Sequence, residues 1–342
     1  MPLILRHVLC VSSMLAPEPS LKKTPLISVS EQVRSSLVAV CDDTVYWPRT
    51  FLRQSVLPFE DPGVGIVTTG KVARRNDYGC FSWAGFWNFV GCVYLARRNF
   101  DQVSINSIDG GISTVSGRSF VARTNILADP AYQQAYLNEY FFFGKVGPLD
   151  AGEDKFTTQW MMNKAWKIQV QHSREATIET DLGTYPKYLH QLLRWSRTSW
   201  RSNLHRLVCE PEHVISQPWS FYAVYLQSLT NVTLLYDSTL VLTLWQGLQR
   251  STSFEVVSQS TTLVALVVWI IISKLVKLIP HFTKFPKDVV YIPGYILFTY
   301  YYSLQKVYSL FTCYDITWKS RPGVDNLAPS DKTISVRKKS DK

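Results

Sequence analysis

Three short strings carry groups that could act together chemically. Asp42 and Asp43 are adjacent carboxylates directly after an apolar run. Hard oxygen ligands of this kind suit Mg²⁺ or Mn²⁺, and such ions bridge to phosphate oxygens. Adjacent acids in a turn after a strand also occur with no ligand. Gly152-Glu153-Asp154 sets two carboxylates after a glycine. A carboxylate there could take the proton of an attacking hydroxyl. The same pair could simply open a helix and complement its dipole. The third string is Gln191-Leu192-Leu193-Arg194-Trp195. On a helix, Gln191, Arg194 and Trp195 stand at i, i+3 and i+4 and share one face. An amide, a guanidinium and an indole on one face can hold a diphosphate and stack on a sugar. This spacing is the most specific of the three.

These groups need elements to position them. Residues 35–43, SSLVAVCDD, form a β-branched apolar run that predicts a buried strand delivering Asp42 and Asp43 at its C-terminal tip. Ligands of open α/β sheets bind outside the strand C-termini. Residues 63–72 and 110–123 predict two further strands, and 79–99 an apolar helix between them. Residues 31–182 therefore read as a mixed α/β domain, and residues 1–30, which show no period, as a loose leader. The stretch 1–16 is broken by Arg6 and His7 and lacks the unbroken apolar run of a signal peptide. Residues 186–206 predict a helix in which Leu189, Leu192 and Trp200 interleave with Arg194, Arg197, Arg201 and Arg206. That composition suits a helix at a membrane surface or one packed on the domain. Arg74-Arg75 and Arg97-Arg98 read more readily as a solvated or lipid-facing edge than as phosphate or glycan contacts.

Hydrophobic residues make up 46% of the 342 and charged residues only 18%, too apolar for disorder. The net charge of +10 suits anionic partners. Its placement beside apolar stretches favours lipid and phosphorylated substrates, with no nucleic acid. The six cysteines form no CxxC pair and read as reduced thiols. From residue 214 the chain turns apolar. Residues 214–249 carry one charge, Asp237, and 256–273 and 289–305 carry none. Roughly 20 apolar residues cross a bilayer. Three to four spans are expected within 211–313, with 214–249 folding as a hairpin and 274–288 lying along the interface. Lys and Arg exceed Asp and Glu on both flanks, which puts the domain and the tail, 314–342, on the cytosolic side.

In order, Asp-Asp-Thr-Val-Tyr-Trp-Pro (42–48), Ser116-Gly117-Arg118, Gly-Glu-Asp and Gln-x-x-Arg-Trp resemble the motifs of processive family 2 glycosyltransferases. These are the hyaluronan, chitin and cellulose synthases, and the look is nearest the fungal capsular-polysaccharide-synthase-like branch. Trp318-Lys319-Ser320-Arg321 resembles the closing Trp-Gly-Thr-Arg motif of hyaluronan synthases. The resemblance runs from about residue 33 to 323. It implies an α/β fold, part of a GT-A-type nucleotide-sugar transferase domain, followed by an α-helical transmembrane region. It implies an integral membrane enzyme, in the plasma membrane, that moves sugar from a UDP-sugar to a growing polysaccharide and extrudes it. By the same resemblance Asp43 with Asp42 holds Mg²⁺ or Mn²⁺. Asp154, beside Glu153, is the general base of an inverting displacement. Ser116, Gly117 and Arg118 line the donor and acceptor pocket. Gln191, Arg194 and Trp195, on a helix within 183–210, bind diphosphate and acceptor, and Trp318 and Arg321 close the site. Two departures stand out: Cys41 takes the first place of an Asp-x-Asp, and Lys319 replaces a glycine. The family's first strands and uridine-binding residues find no counterpart in residues 1–30. The alternative expectation is thus a catalytically incomplete remnant or a truncated gene product.

Overall fold

The computed structural model describes residues 8–12 and 33–316, apart from 77, 79–80, 143, 148, 150–151, 211, 231 and 251–255. In chain order the elements are β1 (Val8–Ser12), β2 (Leu37–Cys41), β3 (Val45–Tyr46), α1 (Phe51–Val56), β4 (Val64–Thr69), β5 (Lys71–Ala73), α2 (Trp83–Asp109), β6 (Ser119–Arg123), α3 (Pro130–Leu137), α4 (Glu153–Asn163), β7 (Lys167–Gln171), β8 (Ile178–Thr180) and α5 (Lys187–Cys209). Helical stretches between Glu212 and Thr230 lead into α6 (Thr233–Arg250), α7 (Val256–Leu275) and α8 (Ile292–Phe311).

A five-stranded mixed sheet runs β1-β2-β6-β4-β7. Only β6 opposes its neighbours; β1 is parallel to β2 and β4 to β7. The reversal matters for function. It brings the start of β6 to the same sheet edge as the ends of β2 and β4. Asp42, Lys71 and Ser116-Gly117-Arg118 therefore meet at one edge, and the Asp42 amide extends the ladder by donating to the Arg118 carbonyl at 2.7 Å. A second small sheet, β3-β8-β5, flanks this edge.

Alternation along the strands sorts the core. Val38, Ile66, Phe120, Ala122, Ile168 and Val170 face Tyr132, Tyr136 and Met161 of α3 and α4. Their neighbours Leu37, Ala39, Val67 and Val121 face Val56 and Phe59 on the other side. That period of two is what a sheet covered on both faces demands. A third cluster joins Trp87, Phe89, Val90 and Val93 of α2 to Tyr188 and Leu192 of α5 and to Leu278, Tyr291 and Tyr295. It welds the helical region to the α/β domain.

Several expectations need correction. Residues 1–30, read as a loose leader, contain β1, paired in register from Val8 with Leu37 to Ser12 with Cys41. Only the last part of 110–123 is a strand. Ahead of it the backbone bonds to side chains: the Val115 amide donates to Thr158 Oγ1 at 2.8 Å and the Ser116 amide to Thr68 Oγ1 at 3.1 Å. The Thr114 carbonyl accepts from Gln102 Nε2 at 2.7 Å. Of the two readings of 186–206, the packed one is found. Arg197, Arg201 and Arg206 are buried. Arg197 pairs with Asp315 at 2.7 Å and Arg206 with Glu210 at 3.2 Å, and Arg201 donates to the Cys313 carbonyl. In place of the hairpin expected over 214–249, a continuous helical run over 218–230, π-helical at Phe221–Leu226, precedes the regular helix α6. Among the described residues one helix, Ser258–Lys284, is long and apolar enough to cross a membrane. Several spans are not seen by that measure.

Candidate functional site

A cleft of about 620 Å³ opens at the sheet edge and continues between α2, α5 and α8. It gathers most of the residues singled out in the sequence: Asp42, Ser116, Gly117, Arg118, Glu153, Asp154, Gln191, Arg194 and Trp195. Asp43 is exposed and does not line it. Trp318 and Arg321 lie outside the described residues.

Asp154 sits in the first turn of α4, next to Glu153. The helix begins there because Gly152 has φ +118, in the region open to glycine, and because a Cβ on it would stand 2.9 Å from Thr198 of α5. Two acids in the first turn complement the helix dipole, so the structural reading of the pair holds as well. What distinguishes Asp154 is its surroundings. Gly117 passes beneath it; a Cβ on Gly117 would lie 3.4 Å from the Asp154 Cβ and 3.5 Å from its Oδ2. Burial and the neighbouring Glu153 charge hold the Asp154 pKa above the ordinary carboxylate value of 3.8. The Lys155 amide, donating to Asp154 Oδ1 at 2.9 Å, and the Arg194 charge pull the other way. A raised pKa makes the ionised carboxylate a stronger base toward an attacking hydroxyl, which suits general-base work.

Arg118 ties the two sheets together. It donates to Thr180 Oγ1, to the Asp181 carbonyl at 3.2 Å and to Thr44 Oγ1 at 3.4 Å. Burial lowers its pKa, and Asp42 is the strongest charge acting in the opposite direction. On α5, Trp195 stacks on Tyr94 of α2 with centroids 5.3 Å apart and planes at 18°. Buried Gln191 Oε1 makes no hydrogen bond among the described residues. A buried acceptor left unpaired costs about 1–3 kcal/mol, so a ligand donor at this point would recover that cost.

Sequence reading missed Lys71, Tyr94, Lys155 and Tyr302 as cleft residues and misplaced two arginine pairs. Arg97 and Arg98 line the cleft, with Arg97 donating to the Tyr295 hydroxyl at 3.1 Å. Arg75 is paired with Asp288 at 2.7 Å, and only Arg74, over the Tyr46 ring, lies at an exposed edge. No local signal distinguishes Arg75 or Arg97, because their partners Asp288 and Tyr295 are distant in sequence. Lys71 carried one hint: it follows Gly70 at a strand end.

A mixed sheet with one reversed strand, a cleft at its edge and a buried acid at a helix start beside that edge are consistent with a GT-A-type domain. Comparison with known sequences agrees. Residues 6–198 match the family described as glycosyltransferase like family 2. The chain is 34% identical over 327 residues to a type 2 glycosyltransferase of Zymoseptoria tritici, covering 92% of this chain and 67% of the relative. It is 32% identical to a type 2 glycosyltransferase of Pyricularia oryzae, covering 89% of this chain and 62% of that protein. An NDP-glycosyltransferase of Aspergillus luteorubrus is 28% identical over 196 residues, 56% of this chain and 46% of that protein. The chain belongs to the family 2 glycosyltransferases. It spans 62% and 67% of the length of the first two relatives.

Proposed function

We propose that this chain carries the acceptor side and the helical region of an inverting, membrane-embedded glycosyltransferase that extends a glycan from a UDP-sugar. The observation that supports this most is Asp154, buried over Gly117 in the cleft that also holds Arg118, Gln191, Arg194 and Trp195. In this reading the acceptor hydroxyl gives its proton to the Asp154 carboxylate as its oxygen bonds to the anomeric carbon. The bond from that carbon to the diphosphate breaks, and the leaving charge falls beside Arg194. Trp195, held by Tyr94, offers a face to the acceptor sugar.

Asp42 is half-buried in the cleft, and the exposed Asp43 follows it in sequence. A divalent ion on a nucleotide takes one or two carboxylates with substrate phosphates and water, which this pair fits. Asp42 and Asp43 would hold Mg²⁺ or Mn²⁺, which supplies charge neutralisation to the leaving diphosphate.

The helical region supports a membrane setting. Val264, Trp269, Leu297 and Phe311 are exposed on α7 and α8, and α7 begins the apolar helix Ser258–Lys284. Lipid contact for these faces, with α6 and α8 as further spans and the domain cytosolic, accounts for that exposure. Export of the polymer points to the plasma membrane. Membranes bearing the chain are expected to transfer sugar from a UDP-sugar in the presence of Mg²⁺ or Mn²⁺, and Asp154→Asn to abolish transfer at equal expression. Retained transfer sinks the assignment.

A further inference from the structure

Arg197 and Arg201 of α5 are buried, 7% and 3% exposed, and the proposed chemistry does not use them. Both reach the segment that follows α8. Arg197 Nε donates to Thr312 Oγ1 at 3.1 Å, and its Nη1 to Asp315 Oδ2 at 2.7 Å. Arg201 divides its fork. Nη1 donates to the Cys313 carbonyl at 2.6 Å, and Nη2 to Thr198 Oγ1 at 3.2 Å. A buried ion pair gives little net stability over apolar packing of the same volume. What a guanidinium adds is a rigid fork that fixes two partners at once. Joining α5 to α8 needs no such fork, because the cluster of Tyr188, Leu192 and Tyr295 already does so.

Thr198 lies between this fork and the turn that carries Asp154. Its hydroxyl accepts from Arg201 and donates to the Arg194 carbonyl at 3.1 Å, so its rotamer is set from both sides. Its methyl packs on Gly152: a Cβ on Gly152 would stand 2.9 Å from Thr198 Cγ2. Gly152 caps α4, and Glu153 and Asp154 fill the first turn. A close-packed interior transmits a displacement along such a path. We infer that Arg197 and Arg201 are positioning residues for Asp154. They hold the Thr312–Asp315 segment on α5, and Arg201 passes that hold through Thr198 to the turn that aims the carboxylate. This rests on the glycosyltransferase reading, with Asp154 as base. Because α5 also brings Arg194 and Trp195 into the cleft, base and leaving-group side are set against one helix.

Steady-state transfer from a UDP-sugar, in membranes bearing the full chain, tests this, with kcat taken per folded chain. Arg201→Lys keeps the charge but has no fork. Thr198→Ser keeps the hydroxyl but removes the methyl against Gly152. Each is expected to lower kcat by about tenfold or more while KM for the donor stays within about twofold, since a misaimed base weakens the transition state and not donor binding. Asp315→Asn, which weakens the hold of Arg197 on the segment, is expected to lower kcat in the same way. The double variant Arg201→Lys with Thr198→Ser is expected to lose no more kcat than the larger single loss, because without the methyl the fork has nothing to hold against Gly152. Where Arg201→Lys does not fold, Thr198→Ser decides alone. Losses that multiply in the double variant overturn the inference and leave the Asp154 assignment standing. So do single variants whose kcat stays within about twofold of the natural chain. A natural chain that transfers no sugar overturns both.

Discussion

Asp154 owes its character to position. Its carboxylate is desolvated, faces Glu153 and lies over a glycine, so it stays protonated to higher pH than a surface aspartate. Only the ionised form can accept a proton. The acid limb of the kcat/KM profile for transfer is therefore expected above the ordinary value of 3.8. Glu153→Gln removes the second cause of the shift, and the limb should move to lower pH. Unchanged profiles would detach the limb from Asp154. Lys71 and Lys155 illustrate the opposite sign. Burial brings both pKa values down to about 7, against 10.5 for an ordinary lysine. Between those values the unfolded chain binds more protons than the folded one, so stability rises with pH over that range. Below pH 7 both ammonium groups are charged and the full penalty is present. The unfolding midpoint in detergent should be higher at pH 8.5 than at 6.5, and Lys71→Met should flatten the rise.

At the scale of elements, the site depends on how helices end. Gly111, just past the end of α2, packs against Ser220; a Cβ there would stand 2.0 Å from Ser220 Oγ. Asp109 accepts from the Ser220 amide at 2.7 Å and from its hydroxyl at 2.6 Å. This junction sets the turn that carries Trp219 and Tyr222 into the cleft. Gly111→Ala is expected to cost about 1–3 kcal/mol by overpacking, read as a lower unfolding midpoint. An unchanged midpoint would show the junction to be loose. Period and composition alone made β2, β4, α2 and α5 legible, and with them the elements that carry Asp42, Gln191, Arg194 and Trp195; Asp154, on α4, was reached only through its Gly-Glu-Asp string. The small sheet and β1 were not legible. The small sheet pairs β5 with β8, more than a hundred residues apart, and β1 lies in a stretch without period. Buried Arg197 and Arg201 were also misleading, since their partners Asp315 and Cys313 lie beyond α8.

Across the whole molecule, the α/β domain and the helical region are joined by the aromatic cluster around Phe89 and by polar contacts, among them Lys277 with Asp101 at 2.7 Å and a clamp on Asp288. Arg75 donates to both Asp288 oxygens, at 3.0 and 2.7 Å, and to Asn88 Oδ1 at 2.8 Å. His281 Nε2 meets the same carboxylate at 2.8 Å. Asp288→Ala leaves a buried guanidinium uncompensated, a loss of roughly 3–5 kcal/mol. The double variant Arg75→Leu with Asp288→Leu should recover most of it, and equal losses in both would deny the coupling. The membrane reading makes its own demand: the chain should stay in the pellet after alkaline carbonate extraction, and release into the supernatant contradicts it. The central claim, that this cleft transfers sugar with Asp154 as base, is tested most directly by comparing Asp154→Asn with the natural chain in the same membranes for UDP affinity and for kcat of transfer. The account predicts unchanged UDP affinity and a kcat lowered by about 10²–10⁴-fold. A kcat within a few-fold of the natural chain would contradict it.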